Sequence, residues 1–431
     1  MRVLIIGNGG REHAIAWKLR QSPQLKELFF TPPNAGLSQI AQATEHVNID
    51  DFPSIKEFCK KNAIDLVVIG PEAPLVGGLS DYLQEEKITV FGPRKGDARV
   101  EGSKTFSKEL MSQNSIPTAG FASFTKLDKA LDYLKDKPFP QVVKADGLAA
   151  GKGVVITEDF EEAKRLLEDT FLHNKFGSAG SRVVIEEFLQ GQEVSLLAFT
   201  DGVTVIPMVE AQDYKAIYDG DRGPNTGGMG CYSPVPIISR DTLHEVVNNI
   251  VEPTVYALAG QGLIYQGVLY TGLILTADGP KVLEYNARFG DPETQVILPR
   301  METDLLEVML ATANQELNKV NLQFSEDVCL TVVLASGGYP EKYRCGFEIN
   351  GLDKATAMGV DVFHAGTMPK SGKVYTNGGR VLNVTAKAGS FEEARAQAYA
   401  ACSLIEFEGK YNRSDIGLRA TGIATSLHSS R

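Results

Sequence analysis

The feature that most constrains the fold is a glycine-rich segment between two apolar runs, KADGLAAGKGV at residues 144–154. Residues 141–143 precede it and residues 154–156 overlap its end, so the pattern predicts strand, loop and strand. Glycines in such a loop let backbone N–H groups approach an anion closely, and Lys144 and Lys152 add positive charge at both ends. The segment favours a flexible cover over a nucleotide triphosphate. An ordinary hairpin with a solvated lysine is the alternative.

This segment does not match the Walker A loop, G-x-x-x-x-G-K-[ST]. Gly147 and Gly151 are one residue too close, and Gly153 stands where Ser or Thr would bind the metal. β-Branched residues follow the loop, where a P-loop would lead into a helix. The sequence therefore argues against a P-loop NTPase and for a phosphate cover carried on a sheet.

The first hundred residues alternate strand and helix signals. Apolar runs at 3–6, 66–69 and 89–91 each end at a glycine, which predicts a parallel, doubly wound α/β sheet. Ligands bind at the carboxyl ends of such strands. Glu12 breaks the dinucleotide fingerprint in the GNGGREH turn, so we interpret this turn as a helix N-terminus that receives a single phosphate, or as a turn without a ligand.

The element pattern divides the chain into three units and a short tail. We predict an α/β domain at 1–101, a middle domain at 102–325 with a mobile lobe at about 119–190, an α+β domain at 326–424, and a frayed tail at 425–431. Helices are expected at about 101–111, 161–171 and 391–405, strands at 182–186, 328–335 and 380–386, and a hairpin of 272–276 with the segment after 280.

Composition narrows the classes of partner. The formal charge is −11, from 54 acidic and 43 basic residues, without a block of Lys or Arg. Nucleic-acid or anionic-membrane binding therefore has no electrostatic support, whereas small phosphorylated substrates need only a local basic cluster. Five scattered cysteines fit a reducing cytosol and predict a cytoplasmic protein. The start of the chain predicts neither a signal peptide nor a membrane span.

The segment KVLEYNARFGDPETQ, residues 281–295, predicts a metal site. On a strand, Glu284, Asn286 and Arg288 project from one face at i, i+2 and i+4, and Val282 is expected on the same face. A carboxylate and a carboxamide oxygen suit Mg²⁺, which takes its remaining ligands from phosphate and water. The arginine adds a fork for carboxylate or phosphate. The alternative is a polar sheet face that meets water.

Two further segments predict binding functions. Residues 212–230, QDYKAIYDGDRGPNTGGMG, form a long glycine-rich stretch that we interpret as a loop without regular structure at a polar small-molecule site, with disorder as the alternative. Glu186 and Glu187 follow an apolar strand, and the backbone at this point of the chain would offer hydrogen-bonding groups to an adenine edge. Glu193 would accept from ribose hydroxyls, although a glutamate pair at a strand end is often only surface.

Together these segments resemble the phosphoribosylamine–glycine ligase family of the ATP-grasp superfamily. The resemblance is carried, in order along the chain, by GNGGREHA from Gly7, PEAPLVGGLSD from Pro71, KADGLAAGKGV from Lys144, IEEFLQGQEVS from Ile185, DYKAIYDGDRGPNTGGMGCYSP from Asp213 and EYNARFGDPETQ from Glu284. Two departures stand outside the proposed ligand groups, Tyr285 for an expected phenylalanine and Gln192 for an expected acid.

The resemblance implies a fold and a reaction. The fold is a preATP-grasp parallel α/β domain, a two-lobed ATP-grasp domain and a small C-terminal α+β domain. The reaction joins glycine to 5-phospho-D-ribosylamine through glycyl phosphate, with ATP giving ADP and phosphate, in purine biosynthesis. It also implies small-molecule substrates and Mg²⁺ or Mn²⁺. We expect a monomer or a weak homodimer.

The resemblance also implies roles for individual residues. Metal binding falls on Glu284 and Asn286. The assignment of catalysis to Arg288 and Asp213 is our own hypothesis, in which these two residues help to hold glycine or the developing tetrahedral centre. ATP binding falls on Lys104, Lys144, Gly147, Gly151, Lys152, Gly153, Glu186, Glu187, Leu189 and Glu193. The remaining substrates are expected at Gly9, Gly10, Arg11, Glu12, Lys215, Asn225, Gly290 and Asp291.

Three other functions are weighed against this one. An ATP-grasp enzyme with another acyl acceptor would share every nucleotide motif. A non-catalytic nucleotide-binding protein would leave the predicted metal pair of Glu284 and Asn286 idle. An NAD-dependent dehydrogenase is disfavoured by the broken dinucleotide fingerprint.

Overall fold

The structure, a computed structural model, describes residues 1–44, 47–148 and 153–422. Within these residues, sheets from the two ends and the middle of the chain surround a large cleft. The amino-terminal sheet supplies one wall, two antiparallel sheets of the middle segment face each other across the cleft, and the last hundred residues close its remaining side.

The amino-terminal unit is the predicted parallel sheet. Its elements are β1 (Arg2–Ile6), α1 (Gly10–Leu19), β2 (Glu27–Thr31), α2 (Leu37–Ile40), β3 (Gln42–Ala43), α3 (Phe52–Lys61), β4 (Leu66–Ile69), α4 (Glu72–Gly77), α5 (Leu79–Gln84) and β5 (Val90–Phe91). The strand order is β3-β2-β1-β4-β5, all parallel. Residues 3–6 are fully buried, as strands covered on both faces require. The carboxyl ends of β1, β4 and β5 share one edge.

A smaller lobe follows. It contains α6 (Arg99–Gly102), α7 (Lys104–Gln113), β6 (Phe121–Phe124), α8 (Leu127–Leu134), β7 (Gln141–Ala145), β8 (Val154–Thr157), α9 (Phe160–Phe171), a 3₁₀ turn at Gly177–Ser181 and β9 (Val183–Glu187). The strands pair antiparallel in the order β6-β9-β7-β8. The predicted hairpin around the glycine-rich loop is confirmed, with Lys144 opposite Val154. Gly151 and Lys152 lie outside the described residues.

The predicted helix at about 101–111 is two helices. Ser103 separates α6 from α7, and its hydroxyl accepts from the backbone N–H of Phe106 at 3.2 Å. A serine at this position caps the first turn of a helix. The break places Lys104 at the first position of α7, where its side chain faces the cleft.

The second lobe and its neighbours run from residue 192 to residue 313. The elements are β10 (Gln192–Thr200), β11 (Val205–Pro207), β12 (Gln212–Asp213), β13 (Ala216–Tyr218), β14 (Arg222–Asn225), β15 (Gly230–Ser233), α10 (Arg240–Val246), a π-helical turn at Val247–Val251, α11 (Glu252–Gly260), β16 (Gly267–Thr276), β17 (Gly279–Asn286), α12 (Thr294–Ile297) and α13 (Leu305–Ala313). The main sheet has the order β11-β10-β16-β17, and the predicted hairpin of β16 with β17 is confirmed.

A β-bulge in β17 corrects one expectation about its faces. Glu284 pairs with Gly272, but Val282 pairs with Leu273, so Leu283 is an extra residue in the ladder. A bulge of one residue reverses the alternation of side chains on either side of it. Val282 therefore lies in the core with Tyr285, and Leu283 lines the cleft together with Glu284. The prediction that Val282 shares a face with Glu284 was wrong.

The segment 212–230 is also corrected, because it is not a loop without regular structure. β13 and β14 form a hairpin, with Ala216 opposite Asn225. β12 pairs with β15, which in turn joins the sheet of the last hundred residues. Glycine and charged residues in this segment concealed its β-structure.

The carboxyl-terminal part contributes a 3₁₀ turn at Leu317–Lys319, β18 (Val328–Ala335), α14 (Leu352–Thr356), β19 (Asp361–His364), β20 (Thr367–Lys370), β21 (Lys373–Thr376), β22 (Arg380–Ala388) and α15 (Phe391–Leu404). The predicted strands at 328–335 and 380–386 and the predicted helix are confirmed. The sheet order is β12-β15-β18-β22-β19. Among the described helices, none has the length and apolar character needed to cross a membrane. The predicted frayed tail lies outside the described residues.

Candidate active site

A cavity of about 640 Å³ lies between the two lobes of the middle segment. Its lining includes most of the predicted site residues, namely Arg11, Lys104, Lys144, Gly147, Gly153, Glu186, Glu187, Leu189, Glu193, Asp213, Lys215, Asn225, Glu284, Asn286, Arg288 and Asp291. The two sheets meet closely: Lys144 Nζ donates to the carbonyl of Leu283, the residue before Glu284, at 3.2 Å. The cavity therefore brings the Lys144 ammonium of one sheet to the acid–amide pair of the other.

Lys104 belongs to the cationic side of this cavity. Its Nζ donates to the carbonyl of Gly147 at 3.3 Å. Burial lowers the pKa of Lys104, and the nearby Glu284 carboxylate opposes that shift. At Gly147 a Cβ atom would lie 2.7 Å from the Cβ of Ala179, so this end of the loop has room only for glycine. Lys104 is thus held beside the start of the glycine-rich loop.

Glu186 lies between two ammonium groups on the same side. Its Oε1 is 2.9 Å from Lys144 Nζ and its Oε2 is 2.7 Å from Lys108 Nζ. All three side chains are less than a tenth exposed. Glu186 is therefore part of a buried ion-pair network, in contrast to the surface position that a glutamate pair at a strand end often has.

Arg288 organises the opposite side. Its Nη2 donates to Glu101 Oε1 at 2.8 Å and to Asn286 Oδ1 at 3.3 Å, and its Nε lies 3.4 Å from Glu72 Oε2. Burial disfavours the guanidinium charge, but Glu101 and Glu72 outweigh burial and raise the pKa of Arg288. The arginine is permanently charged and fixes the amide of Asn286 beside Glu284.

A third group of polar side chains lies deeper in the cavity. Lys215 Nζ is 2.7 Å from Asp213 Oδ2. Glu293 Oε1 accepts from Tyr270 OH at 3.0 Å and from Ser195 Oγ at 3.1 Å. Burial, then the charge of Asp213, raises the pKa of Glu293. Burial opposes the charge of Lys215, but Asp213 together with Tyr270, Glu293 and Glu193 outweighs burial, and the pKa of Lys215 lies well above its ordinary value.

The turn before α1 borders a second cavity of about 270 Å³. This cavity is lined by Asn8, Gly9, Asp291, Tyr339, Ala365, Gly366, Thr367, Asn377 and Arg380. Asp291, Tyr339 and Arg380 line the large cavity as well. The two cavities are therefore neighbours, and a molecule in the smaller one can reach the larger one.

Three predicted substrate residues line neither cavity. A Cβ on Gly10 would lie 2.4 Å from Asn383 Nδ2, which explains the glycine by packing. Glu12 accepts from the backbone N–H of Gly9 at 2.6 Å and from Arg11 Nε at 2.6 Å. The carbonyl of Gly290 accepts from Thr294 Oγ1 at 2.5 Å. These residues shape the turns beneath the cavities.

Sequence reasoning assigned no role to several residues that the structure places at the cavities, among them Glu293, Lys108, Tyr339 and Arg380. Glu293 lies within the segment 281–295 that predicted the metal site, so its position in the sequence already indicated a place near the site. Lys108 follows Lys104 by four residues, the spacing of one helix face, and this too was a signal. Tyr339 and Arg380 come from distant parts of the chain, and nothing in their local sequence distinguishes them.

Comparison with protein families identifies the family and the fold. Residues 1–101 match the family model "Phosphoribosylglycinamide synthetase, N domain", residues 102–294 match its ATP-grasp (A) domain, and residues 329–419 match its C domain. The chain belongs to the phosphoribosylglycinamide synthetase family. As an ATP-grasp ligase, this synthetase uses ATP together with a divalent metal ion.

Individual relatives agree with the family assignment. The synthetase is 47% identical to the phosphoribosylamine–glycine ligase of Caldanaerobacter subterraneus subsp. tengcongensis over 96% of this chain and 99% of the relative. It is 49% identical to the trifunctional purine biosynthetic protein adenosine-3 of Gallus gallus over 97% of this chain but 42% of that protein. The resemblance drawn from the motifs is confirmed.

A solved structure agrees as well. The crystal structure of phosphoribosylamine–glycine ligase from Thermotoga maritima matches this synthetase with a TM-score of 0.85 and 36% identity, covering 96% of this chain and all of that one. The predicted fold class is thereby confirmed, and so is the predicted class of enzyme, an ATP-dependent ligase of the phosphoribosylamine–glycine type.

Proposed function

We propose how this synthetase joins glycine to 5-phospho-D-ribosylamine. A glycine carboxylate oxygen attacks the γ-phosphorus of ATP and ADP leaves, which gives glycyl phosphate. The amine nitrogen of phosphoribosylamine then attacks the acyl carbon, phosphate leaves and the nitrogen loses a proton. The observation that supports this most directly is the meeting of Lys104 and Lys144 with Glu284 and Asn286 in one cavity.

The chemistry needs positioning and charge neutralisation more than a nucleophilic side chain. Lys104 and Lys144 bind the phosphates and offset the charge that develops on the transferred group. Arg288, already fixed by two carboxylates, Asn286 and the carbonyl of Phe289, has one Nη1 N–H left for the reacting carboxylate. The glycine-rich loop, including Gly147 and Gly153, covers the triphosphate and keeps water from the acyl phosphate.

Glu284 and Asn286 are the proposed metal ligands. Clusters of three or more His, Cys, Asp or Glu side chains that could hold a metal are absent from the described part of the chain. A carboxylate and an amide oxygen on one strand face are hard donors that suit Mg²⁺ or Mn²⁺, with phosphate oxygens completing the shell. When bound, the ion supplies positive charge beside the β- and γ-phosphates.

The nucleoside end of ATP is placed by the strand β9 and the residues after it. The backbone of Glu186 and Leu189 would contact the adenine edge, with Glu187 nearby, and apolar side chains such as Val154 also line the cavity. Glu193, which lines the same cavity, would accept hydrogen bonds from the ribose.

Glycine and phosphoribosylamine take the two remaining regions. We place the glycine ammonium beside Asp213 and Glu293, in the cluster that also holds Lys215. We place phosphoribosylamine in the cavity of about 270 Å³, with its amine at the boundary shared by Asp291 and Arg380. Gly9, Arg11 and Asn225 complete the borders of these regions.

The test is the release of ADP and its dependence on substrates. ADP formation should require glycine and phosphoribosylamine together, and Glu284→Ala should lower turnover by about 10² or more, as for lost transition-state electrostatics. Lys281→Ala, on the same strand but outside the cavity lining, is the matched control. A Glu284→Ala protein that retains full turnover would refute the proposed site, and turnover with another acceptor would refute the substrate.

We also propose a location, an oligomeric state and domain limits for the enzyme. We place it in the cytoplasm, because the cysteines at 59, 231, 329, 345 and 402 are free thiols and such thiols persist in a reducing compartment. We propose a monomer or weak homodimer that acts on small molecules. We retain the domain limits 1–101, 102–325 and 326–424, with a mobile lobe at 119–190.

A further inference from the structure

Lys108 is a buried cation in α7 that no role proposed above uses. Its side chain is 3% exposed. Its Nζ donates to Thr118 Oγ1 at 2.8 Å and lies 2.7 Å from Glu186 Oε2. The ammonium lies 6.0 Å from the ring centre of Phe121. A buried lysine loses hydration energy that these contacts must replace.

The charges around Glu186 depend on Lys108. One carboxylate oxygen of Glu186 faces Lys108 and the other faces Lys144 at 2.9 Å. With both lysines protonated, the three groups carry one net positive charge. Without the charge of Lys108, Glu186 would neutralise Lys144 alone and draw its ammonium away from the position where phosphates are proposed to bind.

We propose that Lys108 is a positioning residue for nucleotide binding, which holds Glu186 so that the Lys144 ammonium stays available to the ATP phosphates. The inference rests on the proposed ATP site. Lys108 acts through Glu186 and Lys144, so its removal should change the affinity for ATP more than the chemical step.

The arrangement predicts a pH dependence with a definite sign. Burial lowers the pKa of Lys108 to about 8, the carboxylates of Glu186 and Glu187 raise it, and Lys144 lowers it. As the pH rises through 8, Lys108 loses its proton and the cluster loses its net positive charge. The KM for ATP should therefore rise above pH 8. By linkage, bound ATP should raise the pKa of Lys108.

The experiment compares Lys108→Met, Lys108→Arg and the wild type between pH 6.5 and pH 9.5. Lys108→Met should raise the KM for ATP about tenfold at pH 7, the effect of one charge near the phosphates, with kcat changed less than about threefold. Lys108→Arg should restore the KM and remove its rise above pH 8, because arginine keeps its charge. Lys129→Met, at an exposed lysine of α8, is the control.

The results that would overturn the role of Lys108 differ from those that would overturn the proposed reaction. A Lys108→Met protein with the KM and pH profile of the wild type would overturn the inference. Should Lys108→Met not fold, the inference is overturned if Lys108→Arg shows the same rise in KM as the wild type. Failure of the wild type to consume glycine and phosphoribosylamine would instead overturn the reaction, and ADP binding by calorimetry would then report on Lys108.

Discussion

Arg288 shows how one residue joins stability to chemistry. It lies between the Glu101 and Glu72 carboxylates and also donates to Asn286. The planar guanidinium group makes the stabilising ion pairs and also orients the amide of Asn286. A lysine ammonium cannot reproduce this geometry. Glu101 in turn accepts from the backbone N–H of Ala287 at 2.7 Å, so the arginine also secures the end of β17.

We predict that Arg288→Met lowers turnover by about 10² or more and the free energy of unfolding by about 3 kcal/mol, because the buried Glu101 carboxylate and the half-buried Glu72 carboxylate lose their partner. Steady-state kinetics and urea unfolding measure the two effects. Arg288→Lys should recover part of the stability but little of the turnover. Turnover of Arg288→Met within about threefold of the wild type would contradict the proposed role.

Residue identities could be predicted where local sequence carries the chemistry. Lys144 and Glu284 stand in segments whose glycines, strand pattern and ligand chemistry agree, and the structure brings both to one cavity. Lys108 shares a helix face with Lys104, but a helix lysine is usually solvated, and its burial beside Glu186 is seen only in the folded structure. Burial of this kind is a property of tertiary structure that a single sequence does not state.

Among the elements, the β13–β14 hairpin depends on the end of the chain. Arg413 is fully buried, and its Nη1 donates to the carbonyl of Ala216 at 2.9 Å and to Asp221 at 3.1 Å. Arg413 also pairs with Asp415, and Tyr411 OH donates to the carbonyl of Ile217 at 3.0 Å. The hairpin that carries Lys215 and Asn225 at its ends is thus fixed by residues two hundred positions later.

We predict that Arg413→Met loosens this hairpin. The free energy of unfolding should fall by about 3 kcal/mol, as for a broken buried ion pair, and proteases should cleave within residues 216–225. Arg344→Met is the matched control, since Arg344 pairs with Glu408 at an exposed site worth less than about 1 kcal/mol. Chemical denaturation measures the free energy of unfolding, and limited proteolysis measures cleavage within the hairpin. Equal values for Arg413→Met and Arg344→Met in both experiments would refute the prediction.

Secondary-structure elements could be predicted where the spacing of apolar residues and the position of turn residues indicate the same element. The hairpin of β7 and β8 and the hairpin of β16 and β17 both show apolar runs separated by glycine-containing turns, and both were predicted. The bulge at Leu283 was not, because an inserted residue leaves no compositional signal. The β13–β14 hairpin was missed because its strands are short and its pairing depends on Arg413.

At the scale of the whole molecule, two buried histidines join the first and last parts of the chain. His13 of α1 accepts through Nδ1 from the backbone N–H of His364 at 2.8 Å, and the side chain of His364 meets Thr367 Oγ1. Burial, then His364, lowers the pKa of His13 well below its ordinary value, and burial lowers the pKa of His364 to about 4. Both are neutral in the fold.

Acid should therefore weaken this contact. Between pH 6.5 and pH 4 the unfolded chain binds protons that the folded histidines do not, so the free energy of unfolding falls with the pH. For His364 alone the loss is about 2 kcal/mol from pH 7 to pH 5. Urea unfolding at both pH values measures it. His364→Asn should reduce the slope, His244→Asn at an exposed position should not, and an unchanged slope in His364→Asn would contradict the assignment.

The strand pairing across the middle of the chain has a mechanical consequence. Gly230 to Ser233 pair with residues 329–332 in an antiparallel ladder. The last hundred residues therefore share a sheet with the middle segment that lines the proposed substrate cavity. A domain tethered only by a linker could move away between turnovers. The last hundred residues could do so only if the hydrogen bonds of this ladder broke, which would expose two strand edges to solvent. Whatever opens the cleft to admit nucleotide must therefore leave that seam intact.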